Sequence, residues 1–106
     1  MSEPEAVVLK RCMLEASRLG CRVFRNHVGG FYAKDGSFHR TGLCKGSADL
    51  IGIAPNGKFL ALEIKRKGGH VSREQEKFLA MVNKMGGIGA VVDDEKKIKN
   101  ILDAAG

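Results

Sequence analysis

Three charged residues interrupt the most apolar stretch of this chain. Asp49 precedes Leu50-Ile51-Gly52-Ile53-Ala54, and Glu63 and Lys65 sit at the end of Leu60-Ala61-Leu62-Glu63-Ile64-Lys65. Burying a charge is unfavourable unless it meets an opposite charge or a metal ion, so these positions are candidates for a built site. Side chains alternate along a strand, which puts Glu63 and Lys65 on one face and Leu62 and Ile64 on the other. Two converging carboxylates form the hard-oxygen site that Mg²⁺ takes, with Mn²⁺ expected to substitute. Such an ion binds a phosphate and lowers the pKa of an attacking water. The Lys65 ammonium beside it positions that water and stabilises charge gathering on phosphorus, or acts as base where its pKa is depressed. Together these are the minimal equipment for phosphodiester hydrolysis. A plain edge-strand ion pair, with Asp49 in a turn, fits the same residues and contributes little.

Convergence of the carboxylates depends on the turn between the two runs, Pro55-Asn56-Gly57. If Asn56-Gly57 formed a two-residue turn, Asp49 would pair with Ile64 and Glu63 would point to the opposite face, destroying the site. As a three-residue loop, the turn sets Ala54 opposite Lys58, Ile53 opposite Phe59 and Asp49 opposite Glu63. The residue types favour the second arrangement: Pro suits the first position of a type I turn, Asn the second, and Gly the left-handed third. This register predicts a left-handed Gly57 with a bulge, and Cβ atoms of Asp49 and Glu63 within about 4.5–5.5 Å.

The elements that must hold this hairpin are legible on either side. Pro4 to Leu19 has a helical period, with Val7, Val8, Met13, Leu14 and Leu19 on its apolar side, and Gly20 closes it. Cys21 to Arg25 reads as a short strand. Residues 28–46 are glycine-rich and polar, a long loop with room for a small hairpin, carrying Lys34, His39, Arg40 and Lys45 as a candidate DNA contact surface. Ala48–Ala54 and Lys58–Lys65 are the two strands of the central hairpin. Ser72 then opens a helix with Phe78, Leu79, Val82 and Met85 on its apolar face, ended by Gly86-Gly87. Ile88–Val92 is a buried strand, and Ile98, Ile101 and Leu102 share one face of a last short helix. The order α-β-β-β-α-β-α predicts an α/β fold, one mixed sheet flanked by helices, in a single domain over residues 1–106.

Gly46-Ser-Ala-Asp49-Leu-Ile-Gly-Ile, then Leu62-Glu63-Ile-Lys65-Arg66, then Ser72-Arg-Glu-Gln75 resemble the virus-type replication-repair nuclease (VRR-NUC) domain of the PD-(D/E)XK superfamily. The similarity extends to Glu5, Phe24-Arg25-Asn26 and Gly29-Gly30 and so to nearly the whole chain. The resemblance implies a restriction-endonuclease-like fold. It implies Asp49, Glu63, the Ile64 carbonyl and Glu5 as metal ligands, Lys65 serving the water, and Gln75 contributing from the following helix. Ala48 stands where the wider superfamily often has Pro. Ser2-x-x-Glu5 and Ser72-x-x-Gln75 also match capping boxes, so each of these two side chains has a second explanation, and one residue can serve in both ways. For stand-alone members the resemblance implies structure-specific cutting, including four-way DNA junctions, by a homodimer similar to phage-encoded factors. A two-fold dimer suits two strands related by symmetry, and a chain this small has reason to cover apolar surface with a second copy.

Composition agrees with a polyanionic partner: 18 Lys and Arg against 12 Asp and Glu give a formal charge of +6. Arg25, Arg40, Lys45, Arg66 and Lys67 flank the candidate centre as phosphate anchors, Arg25 and Arg66 foremost. Cys12, Cys21 and Cys44 lack C-x-x-C spacing, which speaks against zinc and a disulfide framework and for buried free thiols. His27, His39 and His70 lie in separate segments without ligand spacing, so solvated or phosphate-contacting roles suit them. No apolar run approaches a membrane span and the acidic start is unlike a signal peptide, so a cytoplasmic protein is expected. A catalytically silent DNA-binding or nuclease-partner module shares the fold and charge, but retention of Asp49, Glu63 and Lys65 together argues against it. A sequence-specific restriction enzyme would need a recognition region for which this chain has little room.

Overall fold

A computed structural model of the chain describes residues 3–106. Helix α1 (Glu5–Arg18) leads into β1 (Arg22–Arg25). The glycine-rich segment forms a separate hairpin of β2 (Gly29–Tyr32) and β3 (Phe38–Thr41). The central hairpin, β4 (Leu50–Ile53) and β5 (Phe59–Ile64), is followed by α2 (Arg73–Lys84), β6 (Ile88–Val92) and α3 (Lys97–Ala104). The four-stranded sheet has the order β1-β4-β5-β6, and β2-β3 stands apart as a two-stranded ribbon. β5 and β6 run parallel, the others antiparallel. A parallel pair needs a crossover, and α2 supplies it. The mixed α/β sheet flanked by helices is as expected, with two strands in place of the long loop.

The three-residue turn is present. Ile53 pairs with Phe59 and Leu50 with Leu62. Ala54 N–H donates to the Lys58 carbonyl at 2.9 Å, and Gly57 N–H to the Ala54 carbonyl at 2.9 Å. Gly57 has φ +87°, the left-handed conformation this position requires. Continued one step, the register sets Asp49 against Glu63. Both flanking charges lie just past the strand ends but are tied by backbone: Asn26 N–H donates to the Asp49 carbonyl at 2.7 Å, and Lys65 N–H to the Val92 carbonyl at 3.0 Å.

Alternation along β5 divides the core. Leu60, Leu62 and Ile64 point with Leu50 into a cluster formed by Val8, Leu9, Cys12 and Ala16 of α1 and Ile98 of α3. Ala61, one step out of phase, packs with Ala48, Leu79, Val82 and Phe78 under α2. Two expected helix faces are corrected. On α1 the buried stripe is Val8, Leu9, Cys12 and Ala16, while Val7 and Leu14 are exposed. The small Cys12 and Ala16 side chains let the helix lie close to the sheet, which bulky Leu14 would prevent. Met85 of α2 is exposed as well, because it caps the helix end beyond the sheet's reach. Cys12 and Cys21 are buried as expected, whereas Cys44 is exposed in the loop before β4. Burial and the acidic run at residues 93–95 push the Cys12 thiol up to about 12, so it is chemically inert. No helix among the described residues is long and apolar enough to cross a membrane.

Candidate active site

Glu63 is the most enclosed charged residue of the chain, 2% exposed at the α2 side of the sheet. It stands there because β5 alternates without a break from Leu60 to Ile64 and is buried on both faces over that run. Its Oε2 accepts a hydrogen bond from Gln75 Nε2 at 2.7 Å and lies 3.4 Å from Lys65 Nζ. Its Oε1 is buried and has no hydrogen-bond partner. Half-buried Asp49 is held from the neighbouring strand end, where its Oδ2 accepts from Ile64 N–H at 2.9 Å. Gln75 also completes a capping box, its Oε1 accepting from Ser72 N–H at 2.8 Å and its own N–H donating to Ser72 Oγ at 3.2 Å. One side chain therefore anchors the start of α2 with its oxygen and steadies Glu63 with its nitrogen.

Burial, and after it the negative charge of Asp49, raise the Glu63 carboxyl to about 7, against the opposing effect of Lys65. Two carboxylates repelling one another, one with an orphaned buried oxygen, form an electrostatically incomplete arrangement. A divalent cation would complete it, and the donor set is one that Mg²⁺ accepts, since that ion characteristically takes one or two carboxylates and keeps several waters. Among the described residues no three acidic, histidine or cysteine groups cluster as a metal cage, so the fit rests on the Asp49–Glu63 pair.

Other expected site residues fall at varied distances from this pair. Glu5 and Arg25 wall a small hollow of about 130 Å³ with Asp49, so Glu5 faces the centre without making a third member of an acidic cluster. Pro4 is the N-cap of α1 and Glu5 the first helical residue, a position from which it cannot close a capping box; Ser2, its supposed partner, lies outside the described residues. Arg25 also borders a second, polar cleft of about 340 Å³ with Asn26, His27, Ser47, Asp49 and Gln75. Arg66 is exposed just beyond β5, and Lys67 lies 4.0 Å from Asp94. Arg40 and Lys45 line a different hollow at the foot of the β2–β3 hairpin. His39 and His70 are exposed and apart. An apolar hollow of about 250 Å³ between Leu19, Pro55, Ile88 and Leu102 is at the opposite end of the sheet and does not include the charged pair.

The positioning role of Asn26 is not evident from the sequence alone. It is 6% exposed; its Nδ2 donates to Ser47 Oγ and to the Ala48 carbonyl, both at 2.8 Å, and its Oδ1 accepts from Leu43 N–H at 3.0 Å. These bonds, with that from its backbone N–H, fix the segment delivering Asp49. Gly46 serves the same segment from the other side: a Cβ there would lie 2.7 Å from Glu74 Cβ, so only glycine lets the loop rest on α2. The available signal was the Phe24-Arg25-Asn26 string, which marks the place but not the partners.

No curated protein and no solved structure matches the chain. A family model does: the VRR-NUC domain matches residues 33–93, a shorter span than the nearly whole chain expected, taking in Asp49, Glu63, Lys65 and Gln75 and leaving out α1, β1, β2 and α3. With more than half of its length so matched, and an acidic pair and a lysine gathered at the end of its central hairpin, the chain belongs to the VRR-NUC domain family, nucleases of the PD-(D/E)XK type.

Proposed function

We propose that the chain is a Mg²⁺-dependent endonuclease that cuts branched DNA, four-way junctions included, as a homodimer. The observation that carries the metal dependence is the buried, unpartnered Glu63 Oε1 beside Asp49. Asp49, Glu63 and the Ile64 carbonyl would hold the cation, with Glu5, which lines the same small hollow as Asp49, as a further ligand. When bound, it supplies a Lewis acid for the scissile phosphate. Lys65 holds the attacking water with its ammonium and donates to a phosphate oxygen as charge develops. Gln75 keeps Glu63 turned toward the centre, so that Lys65 and Gln75 share Oε2 and leave Oε1 free for the cation. Arg25 and Arg66 seat the phosphates on either side, with Lys67, Arg40 and Lys45 further along the backbone.

Exposed Val7 and Leu14 on α1 give the two-fold contact an apolar starting point, with α3 beside it. Incubating the protein with linear, nicked, flap and four-way substrates, with Mg²⁺, Mn²⁺ or chelator, tests the reading. Cation-dependent cutting of the four-way substrate is expected. Binding to all four with no cleavage under any cation would replace it with the silent DNA-binding module. A monomer by light scattering at micromolar concentration, free and with junction DNA, would remove the homodimer.

A further inference from the structure

Four of the chain's six phenylalanine and tyrosine residues are Phe24, Phe31, Tyr32 and Phe38, and all four are between 51% and 77% exposed. Core packing does not explain them. The same stretch carries Arg25, Lys34, Arg40 and Lys45 against the single acid Asp35. On one face of the β2–β3 ribbon, Tyr32 pairs with Phe38 and Gly30 with Arg40. The Tyr32 and Phe38 rings are 5.1 Å apart and tilted by 55°. Phe38 lies over Gly30, where a Cβ would come within 2.3 Å of its Cζ. Beside it is a hollow of about 330 Å³ walled by Val28, Phe38, Arg40, Leu43 and Lys45. Val28 also walls the polar cleft that contains Asp49, so the two recesses adjoin. Asn26 bonds to Leu43 and Ser47 and binds the foot of the ribbon to the segment carrying Asp49.

An aromatic ring with two cations at one side matches a nucleotide: a flat base to stack and a phosphate to neutralise. A base inside a paired duplex offers no free face to such a ring. A second copy of the chain would bring like charges together. We propose that this hollow receives one unpaired nucleotide next to the cleavage site, its base on Phe38 and its phosphate between Arg40 and Lys45. This deepens the nuclease reading and rests on it.

The test measures equilibrium binding of the whole chain, in chelator, to three DNAs: a paired duplex, the same duplex with one bulged thymidine, and the same with an abasic bulge. The natural protein should bind the thymidine bulge about tenfold more tightly than the abasic one. Phe38→Ala should erase that difference and Phe38→Trp keep it, while Arg40→Ala weakens binding to both bulges and flattens the salt dependence. A thymidine preference undiminished in Phe38→Ala overturns the proposal, as does a change in its sedimentation that would make this face a self-interface. Mg²⁺-dependent cleavage by the natural protein is scored separately: cutting with no bulge preference sinks the hollow alone, and neither binding nor cutting sinks the nuclease reading with it.

Discussion

The two hairpins of this chain are closed by the same device. Ala33-Lys-Asp-Gly-Ser37 and Ala54-Pro-Asn-Gly-Lys58 each have a left-handed glycine at φ +87°. In each, the first alanine N–H bonds to the carbonyl of the fifth residue and the glycine N–H to the alanine carbonyl. Asp35 and Asn56 each accept from the N–H two residues on. Yet β5 is buried along nearly its whole length and β2 is exposed throughout. Local turn chemistry therefore sets register in both and burial in neither. The buried pair, packed on both faces, can hold charges at fixed separations, as a reaction centre requires. The exposed ribbon presents aromatic rings that a core would have absorbed, and it is suited to contact a partner.

The largest expected effect lies in the buried hairpin. Lys65→Ala or Glu63→Gln should lower the cleavage rate about 10²–10⁴-fold with DNA binding largely retained, as read by single-turnover kinetics and by affinity in chelator. Undiminished turnover by either variant would remove the assignment of the centre. In stability, Leu62→Ala should cost about 2–5 kcal/mol by denaturant unfolding, whereas Phe31→Ala on the ribbon should cost at most about 1 kcal/mol. Equal losses would mean that the ribbon is as much a part of the core as β5.

The Glu63 carboxyl gives the buried hairpin a pH signature of its own. Its pKa is raised from 4.5 to about 7 in the folded chain. The folded state thus favours the protonated form, and this contribution to stability is complete below about 4.5 and lost as pH rises to about 7. Without divalent cations, melting temperature should fall across that window, and Glu63→Gln should flatten the fall. Added Mg²⁺ should act in the opposite sense, stabilising little at pH 5 and most above pH 7, because the cation takes the ionised pair. A Mg²⁺ effect independent of pH would separate the cation from Glu63.

A further effect concerns the link between the regions. Asn26→Ala should cost about 1–3 kcal/mol, by leaving the Leu43 N–H and the Ala48 carbonyl short of a partner, and should lower cleavage by displacing Asp49. Loss of stability with full activity would show that Asn26 supports the loop without positioning the carboxylate.

Pro55-Asn56-Gly57 and the period-2 run of β5 determined, by themselves, that Asp49 faces Glu63 and that Glu63 shares a face with Lys65. Both follow from backbone geometry over a few neighbouring residues. Ser72-x-x-Gln75 likewise announced the start of α2 from local hydrogen-bonding chemistry. The dual use of Gln75, the hold of Asn26 on the loop before Asp49, and the α1 face that meets the sheet were decided only by tertiary structure. So was the burial of one hairpin and the exposure of the other. Gln75 meets Glu63 across 12 positions and Asn26 meets Ser47 across 21, separations over which no local periodicity carries information. Whether a carboxylate oxygen finds a partner depends on what packing leaves beside it, and for Glu63 Oε1 packing left none.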